Sequence, residues 1–169
     1  AGGVALNCSM NARIRAELGL RELFVQPAAH DGGTALGAAM EAHRMIAGAY
    51  PMTAMTHAYL GPDYTDAQVE RALRDFGVPY ERSADPARDA AERIADGQVV
   101  CWHQGRLEYG PRALGARSIL ADPRSRTVRD RINLMKGRAW WRPLGPSVLA
   151  GAEPDWFEEA SHSPFMLLS

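Results

Sequence analysis

The first 48 residues run twice through one order: a short apolar stretch, a polar loop, then a helical pattern. Val4-Ala5-Leu6 leads through Asn7-Cys8-Ser9 into a helix over 10–18, with Met10, Ile14 and Leu18 recurring every four residues. Gly19 stops it, because glycine adopts the left-handed conformation that closes a helix. Leu23-Phe24-Val25, ended by Pro27, leads through His30-Asp31-Gly32-Gly33-Thr34 into an alanine-rich helix over 35–46. This order predicts an α/β fold with strands at 4–6 and 23–25. Its polar loops then fall where α/β folds hold ligands, at strand ends facing helix N-termini.

The rest of the chain follows the same punctuation. Residues 49–60 lack periodicity and read as a linker. Thr65-Asp66-Ala67-Gln68 has the capping-box pattern and starts a helix to about Phe76. Tyr80-Glu81-Arg82 reads as a short strand. Asp85-Pro86 opens a helix that ends at Gly97. Val99 to Trp102 reads as a buried strand with Cys101 in the core, and Ser118 to Ala121 as another strand. Ser125 to Lys136 reads as a helix with Val128, Ile132 and Met135 on its apolar face and Arg126, Arg129 and Arg131 off it. Strands are also expected over 146–150 and in the apolar run from Pro164 to Ser169.

At 169 residues the chain can bury one core and part of a second. No apolar run approaches the roughly 20 residues of a membrane span. Cys8 and Cys101 form no CxxC pair, so neither a disulfide framework nor a structural zinc site is indicated. That fits a reducing cytoplasm. The opening AGGVALN lacks a secretory pattern. Both ends read as cut from a longer protein.

Charge is distributed unevenly. Residues 106–142 hold ten basic residues against Glu108, Asp122 and Asp130, a net +7 in a chain of net −1. Lys136 is the single lysine; the remaining basic residues are arginines. Arg112 and Arg117 sit beside glycine-marked turns, Lys136 and Arg138 flank Gly137, and Trp140-Trp141-Arg142-Pro143 adds aromatic surface. Arginine grips phosphate or carboxylate through a planar fork, and indoles stack on bases. These residues, with the hydroxyl of Ser118 or Ser147, describe a nucleotide or phosphate pocket. A nucleic-acid surface fits the same composition. His30-Asp31 offers a metal ligand or anion site, against the plainer reading that Asp31 caps the next helix. His43, His57 and His162 stand isolated. His103 is either an acid/base or phosphate contact, or packing.

GRLEYGPRALGARSILADPR followed by INLMKGRAWWRPLGPSV is similar to the family of nodulation-factor and antibiotic O-carbamoyltransferases. GGVALNCSMNARI and FVQPAAHDGGTALGAAM resemble that family's preceding domain. The resemblance implies two modules. Residues 1–48 would be the C-terminal piece of an actin/Hsp70-type ATPase-like domain, of the threonylcarbamoylation kind. Residues 61–169 would be most of a YrdC-like twisted α/β domain, C-terminally truncated, that forms carbamoyl adenylate. It implies ATP, Mg²⁺ and carbamoyl phosphate as reactants and a hydroxyl-bearing sugar or antibiotic as acceptor. By resemblance Arg112, Arg117, Lys136, Arg138 and Arg142 are catalytic. Gly2, Gly3, Asn7, Arg106, Ser118 and Ser147 would line the nucleotide or acceptor site. Asp31 would ligate iron, in a site left incomplete because the family's upstream HxxxH pair is missing here. Neither membrane nor nucleic acid is an expected partner, an RNA-binding YrdC-type module being the alternative, and a homodimer is left open. The 169 residues alone are expected not to complete carbamoyl transfer.

Overall fold

The computed structural model describes residues 2–51, 54–158 and 163–168. They fall into two compact units. The first holds the described residues of Ala1–Pro62, Arg106–Leu114 and His162–Ser169. The second holds those of Asp63–Gly105 and Gly115–Ser161.

In the first unit Gly2 turns the chain at φ 81, and its N–H donates to the Ala29 carbonyl at 2.8 Å. Gly3–Leu6 then forms a single 3-10 turn rather than the expected strand. Two of its backbone bonds close locally, Ala5 to Gly2 and Asn7 to Val4, in the pattern of a 3-10 turn and not of a strand ladder. Helix α1 is Cys8–Glu17, capped by the Asn7 side chain, which accepts from the Met10 N–H at 3.0 Å. The buried Asn11 amide donates to Ala5 O at 2.8 Å and Leu167 O at 3.0 Å, joining turn, helix and chain end through one side chain. The expected strand at 23–25 is irregular, with Phe24 78% exposed. A three-residue run gains strand geometry only from a pairing neighbour. Asp31–Gly33 forms a second 3-10 turn that runs into helix α2, Thr34–Ala47, closed by Gly48 at φ 77. The unit's buried apolar residues are mostly small, Ala28 and Ala58 with Leu167.

In the second unit helix α3, Asp66–Asp75, carries the full Thr65–Gln68 capping box. Helix α4, Pro86–Ala95, starts from the Asp85 side chain, which accepts from Arg88 N at 3.1 Å. Strands β1, Val100–His103, and β2, Arg117–Leu120, pair antiparallel with Cys101 opposite Ile119. The β1 strand alternates half-buried and exposed positions, so Cys101 is exposed and not in the core. Helix α5 is Arg126–Met135 and helix α6 the single turn Glu153–Trp156. In α5 Ile132 and Asn133 are buried while Met135 is 59% exposed, so the packed face is rotated from the expected one. The segments expected as strands at 80–82, 146–150 and 164–168 form no strand; each would need a partner that the two-stranded sheet does not supply. The fold is thus mixed helix with a small antiparallel sheet. Among the described residues no helix is long and apolar enough to cross a membrane.

Candidate functional site

Three loops of the first unit are held together by residues 106–114. The Arg106 guanidinium donates to Gly61 O at 3.0 Å and to Leu60 O at 3.3 Å. Tyr109 donates its N–H to Ala58 O at 2.6 Å and its hydroxyl to Gly32 O at 3.1 Å. The Arg112 Nη2 donates to Leu6 O at 2.7 Å. The buried Glu108 accepts the Leu114 N–H at 2.7 Å, which closes the segment on itself. The structure therefore puts Arg106 and Arg112 with Gly2, Gly3, Asn7 and Asp31 in the first unit. Arg117, Ser118, Lys136, Arg138, Arg142 and Ser147 lie in the second.

The turn before α2 is built differently from the capping reading. His30 Nδ1, not the Asp31 carboxylate, accepts the Gly32 N–H at 2.8 Å. The α2 N-cap is Gly33, with no side-chain cap bond, and Thr34 Oγ1 donates to Asp31 O at 2.6 Å. The Asp31 side chain is left exposed. With Nδ1 accepting, the neutral His30 ring carries its proton on Nε2, which is buried and has no partner among the described residues. His30 and Thr34 border a cavity of about 420 Å³ that Ala5, Phe24 and Gln26 also line. Arg112 Nε is likewise buried without a partner among the described residues.

The second unit concentrates its cations on the bend after α5. Asn133 is fully buried. Its amide nitrogen donates to Trp140 O at 2.8 Å and Arg142 O at 3.0 Å. Its amide oxygen accepts from Arg138 Nε at 2.5 Å, and Arg138 Nη2 donates to Pro143 O at 2.6 Å. Burial, and after it repulsion from Arg142, holds the Arg138 guanidinium below its ordinary pKa. Arg138 is thus turned into its own loop. Lys136 and Arg142 are exposed, as are the indoles of Trp140 (71%) and Trp141 (63%). Ser118 Oγ accepts the Gly115 N–H at 3.0 Å and so closes a turn, while Ser147 is exposed in an irregular stretch. His103 rests against Tyr64, ring centroids 6.4 Å apart. His162 lies outside the described residues.

Sequence reasoning passed over Asn133 and Tyr109. An asparagine seven residues before Trp140 carries no signal until the loop folds back on the helix end. Tyr109 sits inside the glycine-proline turn pattern, where attention goes to the arginines.

An iron site does not fit what is present. Among the described residues no group of three or more His, Cys, Asp and Glu side chains converges. Asp31 could supply one ligand, and its neighbour His30 has Nδ1 engaged by Gly32.

Residues 91–169 match the Carbamoyltransferase C-terminus family and residues 1–40 match Carbamoyltransferase N-terminus. The chain belongs to the carbamoyltransferase family, a family of transferase enzymes. It is 47% identical to nodulation protein NolNO of Sinorhizobium fredii over 98% of its length and 25% of the relative's. It is 44% identical to nodulation protein NolO of Bradyrhizobium diazoefficiens over 94% of its length and 30% of the relative's. It is 36% identical to the 3'-hydroxymethylcephem-O-carbamoyltransferase of Streptomyces clavuligerus, covering 98% of this chain and 30% of that one. The chain thus spans about a quarter to a third of the length of these relatives.

Proposed function

We propose that this chain is part of an ATP-dependent O-carbamoyltransferase and that its second unit binds the reacting nucleotide. The observation that carries this reading is the bend after α5. Asn133 and Arg138 satisfy the loop carbonyls from inside, so Lys136, Arg142, Trp140 and Trp141 are left to face outward. Exposed cations can stabilise phosphoryl charge, and exposed indoles can stack on a base.

The proposed chemistry balances in three steps. Carbamoyl phosphate and water give carbamate and phosphate. A carbamate oxygen attacks the α-phosphorus of ATP, forming carbamoyl adenylate as the bond to pyrophosphate breaks. An acceptor hydroxyl then takes the carbamoyl group, releasing AMP and a proton. Charge builds on phosphoryl oxygens and no protein nucleophile is needed. Lys136 and Arg142 would hold the phosphates, with ATP entering as its Mg²⁺ complex. Arg117 and Ser147 belong to the proposed lining, whereas Arg138 acts through the loop. The ATPase-like and YrdC-like names for the two modules, a cytoplasmic setting and an acceptor of the cephem or nodulation-factor kind are part of this proposal. Carbamoyl adenylate is a mixed anhydride that hydrolyses readily, so water must be kept from it once it has formed.

The test uses the full-length protein. Pyrophosphate release from ATP should require carbamoyl phosphate and should fall at least tenfold in Lys136→Ala, the cost of one charge-assisted phosphate contact being roughly 1.5–3 kcal/mol. Release that is independent of carbamoyl phosphate, or untouched by the substitution, would refute the reading.

A further inference from the structure

We propose that the Leu23-Phe24-Val25 stretch and the cavity beside it form a docking edge for an apolar segment of the same polypeptide from outside these 169 residues. That segment pairs with the 23–25 backbone and offers a carbonyl oxygen to His30 Nε2. The proposal draws on the family relationship and does not depend on the nucleotide reading of the second unit.

Three observations meet at this place in the first unit. Leu23, Phe24 and Val25 alternate half-buried, exposed and half-buried, the pattern of a strand with one face packed and one open. Phe24 is 78% exposed. Among the described residues no backbone N–H or C=O of these three has a backbone partner. Successive residues with unpaired backbone are an open edge, and an open edge templates an added strand. The second observation is the cavity of about 420 Å³, which Phe24, Val25 and Gln26 line together with Ala5, Ala28 and His30. The third is His30 Nε2. It is buried without a partner among the described residues, and it carries the ring proton because Nδ1 accepts from Gly32. The other polar side chains on the cavity wall are already engaged. Gln26 Oε1 accepts from Ala28 N at 2.6 Å, and Thr34 Oγ1 donates to Asp31 O at 2.6 Å. A buried donor left unpaired is costly, so the acceptor comes from outside the unit.

A polypeptide segment satisfies all three. It brings donors and acceptors at strand spacing for 23–25, apolar side chains for the cavity and Phe24, and a carbonyl for His30. A phosphate-bearing ligand fits less well, because no lysine or arginine lines the cavity. The chain spans 25% of nodulation protein NolNO and 30% of the cephem carbamoyltransferase. In a protein of that length most of the polypeptide is tethered to this edge. Tethering gives it an effective concentration that a separate copy in dilute solution does not reach.

The experiment uses the full-length protein. With p-benzoylphenylalanine in place of Phe24, light should join residue 24 to a peptide outside residues 1–169. In a mixture of ¹⁴N- and ¹⁵N-labelled protein both halves of that crosslink should carry the same label. In wild type, alternate amides of 23–25 should exchange at least about a hundredfold more slowly than in an unstructured peptide of the same sequence. His30→Asn keeps an acceptor for the Gly32 N–H through an Asx turn and removes the Nε2 donor. It should speed exchange at 23–25 about five- to tenfold, the loss of one buried hydrogen bond, and leave Gly32 unchanged. Crosslinks that are absent, confined to residues 1–169 or formed only between copies overturn the proposal. So does exchange at 23–25 as fast as in the unstructured peptide, or slow exchange that His30→Asn does not alter.

Discussion

Replacing Asn133 with alanine is the sharpest perturbation of the bend after α5. The side chain is fully buried and makes three bonds: two donated, to Trp140 O and Arg142 O, and one accepted from Arg138 Nε. The two carbonyls lie in an exposed loop and can turn to water, so each bond is worth roughly 0.5–1 kcal/mol; the bond from the guanidinium is worth roughly 1.5 kcal/mol or more. The sum is about 3 kcal/mol, or about a hundredfold in the opening equilibrium of the loop. Hydrogen exchange reads that equilibrium locally. The reporters are the amides of Arg138, which donates to Asn133 O at 3.0 Å, and Arg142, which donates to Ala139 O at 3.2 Å. Both should exchange about a hundredfold faster in Asn133→Ala, with amides of α3 unchanged. A change below about fivefold would show that the loop does not depend on this side chain.

Gly33→Ala should destabilise the first unit by about 2 kcal/mol or more, since a Cβ there would overlap the Ala28 carbonyl and overpacking against backbone has no cheap relief; a thermal midpoint equal to wild type would contradict it. Glu70 should shape the acid limb of stability. The Tyr80 hydroxyl, then Arg74, holds its carboxyl below the ordinary value of 4.5. A depressed carboxylate stabilises fully above its unfolded pKa, and that contribution fades as pH falls through the lowered folded value. Thermal midpoints followed from about pH 7 to about pH 3 should therefore converge for wild type and Glu70→Gln at the acid end. Parallel curves would refute it. Arg138→Lys should loosen the 136–143 loop in exchange measurements, because an ammonium cannot reproduce the fork between Asn133 and Pro143; unaltered exchange would contradict the assignment of Arg138 to the loop.

Helices were readable in the sequence because their signals are local. The Thr65–Gln68 capping box, Pro86 at the first turn of α4 and the glycines after α1, α2 and α4 each act within a few residues. The hairpin strands were readable because β1 and β2 supply each other's bonds. The other expected strands failed for the converse reason, since an apolar triplet such as Leu23-Phe24-Val25 becomes a strand only when something pairs with it. The candidate site was readable as a set of residue types but not as a grouping. Arg112 and Arg117 are five positions apart in one signature, yet they fall in different units. Arg138 and Arg142 share one bend, yet one guanidinium is consumed by Asn133 and Pro143 while the other is exposed. Charge and spacing do not encode such choices; the long-range hydrogen bonds make them.

In the proposed function Lys136 and Arg142 bind the nucleotide while Arg138 holds their loop. Isothermal titration of ATP and of carbamoyl phosphate into the full-length protein tests it most directly. Arg142→Ala should weaken ATP about 10- to 100-fold, the loss of one charge-assisted contact, and leave exchange of the 136–143 loop intact. Arg138→Ala should speed loop exchange along with any loss of affinity. ATP affinity unchanged in Arg142→Ala, or lost in Arg138→Ala with the loop undisturbed, would contradict the claim.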